Sequence, residues 1–257
     1  MLELRDIGKY YNPGSINEMC LFDNFNLKVD AGDFISVVGS NGSGKTSMLN
    51  IICGSIDIDY GNIILDDHDI TTRKEFKRQK NIGRVYQNPA LGTCPSMTIL
   101  ENMSLASNKG KSFGLGRGVN KKKINEFREL LTQLNLGLED KLDVKVGSLS
   151  GGQRQAVALL MTTMTPIEFL ILDEHTAALD PKTAEIIMEL TDKIVREKNL
   201  TTIMVTHNLR YAVEYGNRLV MMHQGKAILD VKGEKKQETS VDQVLQLFNE
   251  ISIECGN

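Results

Sequence analysis

The stretch GSNGSGKT, Gly39-Ser40-Asn41-Gly42-Ser43-Gly44-Lys45-Thr46, has the residue types and the GxxxxGK[ST] spacing of a loop that holds phosphate. Glycines let successive backbone N–H groups turn inward around a β-phosphate, Lys45 bridges β- and γ-phosphates, and the Thr46 hydroxyl is a Mg²⁺ ligand. A glycine turn can be only a turn. Here an apolar run, FISVVG, precedes the loop and KTSMLNIIC follows with helical spacing, which is the strand, loop, helix order that a phosphate-binding unit requires. Further along, LSGGQRQA at 149–156 offers a second anion-binding chemistry, a serine and two glycines opening a helix.

Two acids and a histidine complete the set. Asp173 and Glu174 close the apolar run FLILDE, and His207 closes TTIMVTH. One carboxylate can hold Mg²⁺ through water while its neighbour accepts a proton from an attacking water. Acid pairs and single histidines are common on solvated surfaces. Position favours chemistry here, because short apolar runs ending in polar residues read as buried parallel strands that deliver side chains to a site at their carboxyl ends.

The elements that must position these residues follow from periodicity. LELRDI and the two halves of FNLKVDAGDFISVVGS alternate as strands, with a turn at DAGD. GNIILDDHDI adds a strand and turn. PKTAEIIMELTDKIVREKN reads as a helix with Pro181 in its first turn and Ile187, Leu190 and Ile194 on one side, so the run from FLILDE to TTIMVTH is βαβ. RLVMMHQGKAILDV gives two strands about Gln224-Gly225, and VDQVLQLFNEI a terminal amphipathic helix. From Pro89 to about Pro166, glycines and prolines punctuate a mainly helical pattern in which Ile124, Phe127, Leu131 and Leu134 share a face. The expected architecture is an α/β core at about 1–88 and 166–257 with a helical insertion at about 89–165.

A chain of 257 residues with 41% hydrophobic and 25% charged content is long enough to bury a full core, and its composition disfavours disordered, collagenous and membrane-spanning classes. Its formal net charge of -3 speaks against a nucleic-acid partner. The basic stretch from Lys109 to Arg128, with Lys121, Lys122 and Lys123 in a row, is either a solvated loop and helix start or a contact for anionic lipid headgroups. Cys20, Cys53, Cys94 and Cys255 show no CxxC spacing, so neither a zinc site nor a disulfide framework is expected, and Cys53 reads as a small buried hydrophobe. With no apolar signal region and no run near the roughly 18 apolar residues of a span, the expected location is cytoplasmic.

With these residues in place, the chain resembles the ABC-type ATPases. LSGGQRQA is similar to that family's signature sequence, and the other motifs stand in the family's order. Tyr11 sits where an aromatic stacks on adenine, with Tyr10 beside it able to serve instead. Gln87, in VYQNP, sits at the glutamine loop, LILDE at the second nucleotide motif, AALD with Asp180 at the loop beyond it, and His207 at the switch histidine. The resemblance implies a single domain over 1–257: a P-loop NTPase core with a mostly parallel sheet, an N-terminal antiparallel β subdomain and an inserted α-helical subdomain. It implies ATP and Mg²⁺, with nucleotide held by Tyr11 and by Gly39 through Ser47, and the metal by Thr46, Gln87 and Asp173. Glu174 would be the general base and His207 the γ-phosphate sensor, with Gln87 reaching the attacking water. Ser150, Gly151, Gly152 and Gln153, together with Asp180, would complete the nucleotide site of a second copy, which implies a head-to-tail homodimer.

The resemblance also implies separate integral membrane permease subunits, a solute-binding protein in the complete system, peripheral placement at the inner face of the membrane and no nucleic acid. LLTQLNLGLEDKLDVKVGSLSGGQRQAVALLM and DEHTAALDPKTAE resemble the ATPases of a bacterial importer group handling tryptophan, tyrosine or related solutes. Two other readings stand beside import. One is an ATPase driving export or mechanical work at the envelope. The other is a soluble ABC-type ATPase acting on ribosomes or DNA, which usually shows a second nucleotide domain or long coiled coils. Three departures from the family pattern are visible. His175 replaces a proline and reads as a turn residue. Ala177 replaces a serine, removing a cross-subunit hydrogen bond worth about 1 kcal/mol. Leucines in VALLMTTM replace an Ala-Arg pair, a change of helix packing.

Overall fold

The computed structural model describes residues 1–112 and 118–254, the side chains of 251–254 excepted. The chain begins with β1 (Leu2–Tyr11), β2 (Met19–Val29), β3 (Phe34–Gly39), α1 (Lys45–Cys53), β4 (Tyr60–Leu65), β5 (His68–Asp69) and α2 (Glu75–Arg78). It continues with β6 (Ile82–Val85), α3 (Ile99–Ser107), α4 (Ile124–Thr132), α5 (Gly151–Thr163), β7 (Phe169–Asp173) and α6 (Pro181–Glu197). The last elements are β8 (Thr201–Val205), α7 (Leu209–Glu214), β9 (Arg218–His223), β10 (Lys226–Lys232), α8 (Glu234–Glu238) and α9 (Val241–Glu254). They gather into two compact units, Met1–Gln79 with Asn199–Asn257, and Lys80–Lys198.

The first unit holds an antiparallel sheet in the order β2-β1-β4-β5 and a mostly parallel run in the order β10-β9-β3-β8. Every residue of β3 and of β8 is buried, which is why neither alternates apolar with exposed polar residues. The turn expected at Asp30–Asp33 closes through Asp33 N–H to Asp30 O at 3.1 Å. Gln224 (φ 43°) and Gly225 (φ 73°) form the hairpin between β9 and β10, both in the left-handed region that a two-residue hairpin uses. Cys53 is buried on α1 as read, while Cys255 lies outside the described residues.

The second unit pairs β6 and β7 in parallel, from Ile82↔Phe169 to Val85↔Leu172. Around them α5 packs against α3, α4 and α6. Asp180 caps α6 by accepting from Thr183 N–H at 3.1 Å with Pro181 in the first turn, and Ile187, Leu190 and Ile194 are buried on its inner side. Phe127 and Leu131 of α4 are buried, and so is Leu134, which lies just past the helix end. β6 went unread in the sequence because Gly83 and Arg84 interrupt its apolar pattern. Gly83 is there for close approach: a Cβ would stand 2.7 Å from Ile167 Cδ1 and Thr162 Cγ2. Arg117, within the basic stretch, lies outside the described residues, and no described helix is long and apolar enough to cross a membrane.

Candidate functional site

The first unit carries the glycine loop, Tyr10, Tyr11 and His207. β3 ends at Gly39 and α1 starts at Lys45, with Gly44 at the N-cap in the left-handed region (φ 100°) and no side chain capping the helix. The N-terminus of α1 therefore faces the loop with backbone amides, the arrangement that attracts phosphate. Two glycines are sterically required. A Cβ on Gly39 would lie 2.2 Å from Met222 O, and one on Gly44 would lie 2.8 Å from the Phe22 ring. Lys45 is 5% exposed, and its ammonium donates to Gly39 O at 2.7 Å and Ser40 O at 2.9 Å, so the charge is held within the loop. Ser43 is buried and its carbonyl accepts from Gly225 N–H at 3.1 Å, while Asn41, Gly42 and Thr46 are exposed and Ser47 is half-buried.

Sheet register brings His207 beside this loop. Val37 of β3 pairs with Val205 of β8, so Gly39 and His207 each stand two residues beyond a matched pair at the carboxyl ends of adjacent parallel strands. Thr206 N–H donates to Val37 O at 3.1 Å, and His207 is exposed. At the end of β1 the two tyrosines differ. The Tyr10 ring is 6.4 Å from that of Tyr60, and hydrogen bonds to Cys20 first and Tyr60 second raise its phenol pKa. Tyr11 has the Lys9 ammonium 5.6 Å from its ring centre.

The second unit repeats the register device. Val85 of β6 pairs with Leu172 of β7, so Gln87 and Glu174 each follow a matched pair by two residues. Gln87 is exposed, Asp173 and Glu174 are half-buried, and Glu174 has a left-handed backbone (φ 48°). Arg84 Nη2 meets Asp173 Oδ2 at 2.6 Å, and the guanidinium lies over the Tyr86 ring at 4.7 Å. Gln155, 1% exposed on α5, donates to Tyr86 O at 3.0 Å, tying the strand end before Gln87 to the helix that LSGGQRQA opens.

Ser150 caps α5 with a reciprocal pair: its hydroxyl accepts from Gln153 N–H at 3.2 Å and Gln153 Oε1 accepts from Ser150 N–H at 3.2 Å. Gln153 also donates to Leu136 O at 3.3 Å. Its amide is thus engaged at both ends, and it shapes the helix entry. Gly151 is exposed, whereas Gly152 is buried with Thr183 Cγ2 only 2.1 Å from where a Cβ would be. Asp180, besides capping α6, has its pKa lowered chiefly by the Thr183 hydrogen bonds. His175 occupies a turn but is 2% exposed, with Nε2 3.1 Å from Thr191 Oγ1. Thr191 Oγ1 donates to Ile187 O at 2.7 Å, so the histidine Nε2–H is the donor to that oxygen, and burial pushes its pKa down to about 4. Arg84 and Gln155 were missed from sequence; a lone arginine and glutamine on apolar elements were the signal.

A glycine loop opening a helix beneath parallel strands, strand-end acids and a serine-capped second helix define an ABC-type ATP-binding protein. The family model described as ABC transporter matches residues 22–177, and the chain belongs to that family of ATPases. It is 49% identical to the tyrosine transport ATP-binding protein of Clostridioides difficile (strain R20291), over 96% of this chain and 98% of that one. Among solved structures it is similar to the ATP-binding cassette MJ0796 in a dimeric post-hydrolysis state bound to ADP and Pi, with a TM-score of 0.76, 30% identity and coverage of 90% and 98%. It is also similar to the ADP conformation of MJ1267, an ATP-binding cassette of an ABC transporter, with a TM-score of 0.80, 26% identity and coverage of 100% and 99%.

Proposed function

We propose that this chain, as one ABC-type domain, is the ATP-hydrolysing subunit of an importer for tyrosine or a related aromatic amino acid. It works as a head-to-tail homodimer on separate integral permease subunits at the inner face of the membrane, with a solute-binding protein in the complete system. The near-full-length identity to the tyrosine transport ATP-binding protein carries the substrate class. In this reading the loop amides and Lys45 bind the β- and γ-phosphates, and Tyr11 stacks on adenine because Tyr10 is engaged with Tyr60. Glu174 takes the proton of the attacking water, Gln87 orients that water, and His207 contacts the γ-phosphate. Ser150, Gly151 and Gly152 contribute the α5 N-terminus to the γ-phosphate held by the other copy.

Thr46, Gln87 and Asp173 offer hard oxygen donors, which suit Mg²⁺. When bound, the ion neutralises charge on the phosphates. The reading is tested by isolating the tagged chain from native membranes. A polytopic membrane protein is expected to come with it and to stimulate its ATP hydrolysis; recovery of the ATPase alone would overturn the transport assignment.

A further inference from the structure

In the Lys80–Lys198 unit a cavity of about 250 Å³ lies at the start of β6 and β7, the opposite strand ends from Gln87 and Glu174. Lys80, Lys109, Lys111 and Lys123 line it, with Glu126 as the one acid among the described lining residues. The chain thus spends part of its basic stretch on a concave wall rather than on a uniformly solvated surface. Among the described residues, the bonds that three of these ammoniums make are long. Lys109 Nζ donates to Ile82 O at 3.4 Å, Lys111 Nζ to Ser107 O at 3.3 Å, and Lys123 Nζ to Glu126 Oε1 at 3.4 Å. An ammonium has three donors, so these contacts leave capacity for an anion.

A second observation is independent of charge. Thr165, a half-buried residue of the same wall, keeps its Oγ1 shielded from solvent and without a hydrogen-bond partner among the described residues. A shielded hydroxyl without a partner is destabilising, and a small turn of the Thr165 side chain that brings it to a ligand oxygen would remove the penalty. Desolvation also lowers the pKa of Lys109, a bias toward losing its charge that a neighbouring anion would counter.

We propose that this cavity is a second anion site, taking a phosphate monoester, whose occupancy acts on the nucleotide chemistry through β6 and β7. Four lysines against one glutamate match a dianion, and converging point charges with a hydroxyl suit phosphate oxygens without needing the planar fork of arginine. Met164 and Pro166 give the cavity an apolar side for the esterified group. The route to the chemistry is short: Lys109 binds the carbonyl of Ile82, the first residue of β6, and two residues on, Arg84 holds Asp173. The same chemistry could arrive on a soluble ester or on a phosphatidic acid headgroup.

The full chain is saturated with Mg-ADP, so that the loop at 39–46 is filled, and titrated calorimetrically with glycerol 3-phosphate. A parallel arm measures flotation with phosphatidylcholine vesicles with and without phosphatidic acid. Binding in the first arm identifies a soluble ester; binding only to phosphatidic acid vesicles identifies the lipid. Lys80→Met with Lys109→Met should weaken whichever binding is seen by about tenfold or more, with ADP affinity unchanged. Thr165→Val, which removes only the buried hydroxyl, should weaken it about fivefold while leaving thermal stability equal or higher. Failure of both probes to bind, or binding unaltered in the variants, would overturn the site. An ATP hydrolysis rate that the bound probe leaves unchanged would overturn the coupling.

Discussion

Arg84 and Asp173 form a close ion pair at 2.6 Å across neighbouring parallel strands, with both side chains largely shielded from water. The strand that leads to Gln87 thereby holds the carboxylate assigned to the metal. Arg84→Met should lower stability by about 3 kcal/mol, since removing one partner leaves a shielded charge without its counter-ion. It should also reduce ATP hydrolysis more than ATP binding. Arg84→Lys should recover part of the stability and lose the stacking on Tyr86. Denaturant unfolding checks the first effect, and an unchanged midpoint in the methionine variant would count against the pair.

Glu174→Gln keeps shape and removes the base. ATP should bind with near-native affinity, turnover should stop, and the variant should run as a dimer on size exclusion with ATP but not with ADP. Hydrolysis at the native rate would remove Glu174 from its proposed role.

The two signature glycines should part company. Gly152→Ala places a methyl 2.1 Å from Thr183 Cγ2, so Thr183 must turn or α5 must shift from α6, at about 1–3 kcal/mol of stability. Gly151→Ala meets nothing nearer than Leu179 at 3.4 Å, so it should leave stability within about 0.5 kcal/mol. Adding Thr183→Ala to Gly152→Ala should restore the melting temperature. Equal destabilisation by both single variants would refute this packing account.

Burial of His175 gives stability a defined pH dependence. Its pKa falls from the usual 6.5 to about 4 in the folded chain, so below pH 6.5 the unfolded chain takes up a proton that the folded chain refuses. Stability from this group is complete above pH 6.5 and is lost as pH falls toward 4, about 3 kcal/mol in all. His175→Gln, which keeps a donor for Thr191, should flatten that part of the curve. Urea midpoints from pH 8 to pH 5 report it, and parallel curves for the two proteins would contradict the assignment.

Much of the candidate site was legible because phosphate chemistry dictates residue type and order locally. GSNGSGKT, Asp173-Glu174, His207 and LSGGQRQA each sit at a strand end or helix start that short-range periodicity reveals. Helix α6 and the Gln224-Gly225 hairpin were readable for the same reason, since caps and turns involve neighbours in sequence.

What stayed hidden depends on residues far apart in the chain. β6 shows no pattern because its identity comes from pairing with β7, and Arg84 reads as a surface charge until Asp173 stands beside it. His175 reads as a turn residue, which it is; only the packing of Thr191 against it makes it a buried neutral base. Gly152 reads as a phosphate ligand, but the nearness of Thr183 adds a steric reason for glycine. Family, nucleotide chemistry and most elements follow from the order of the amino acids alone, because these rest on local spacing. Register, burial and the gathering of lysines around one cavity were decided by tertiary structure, because each requires distant segments to share a wall.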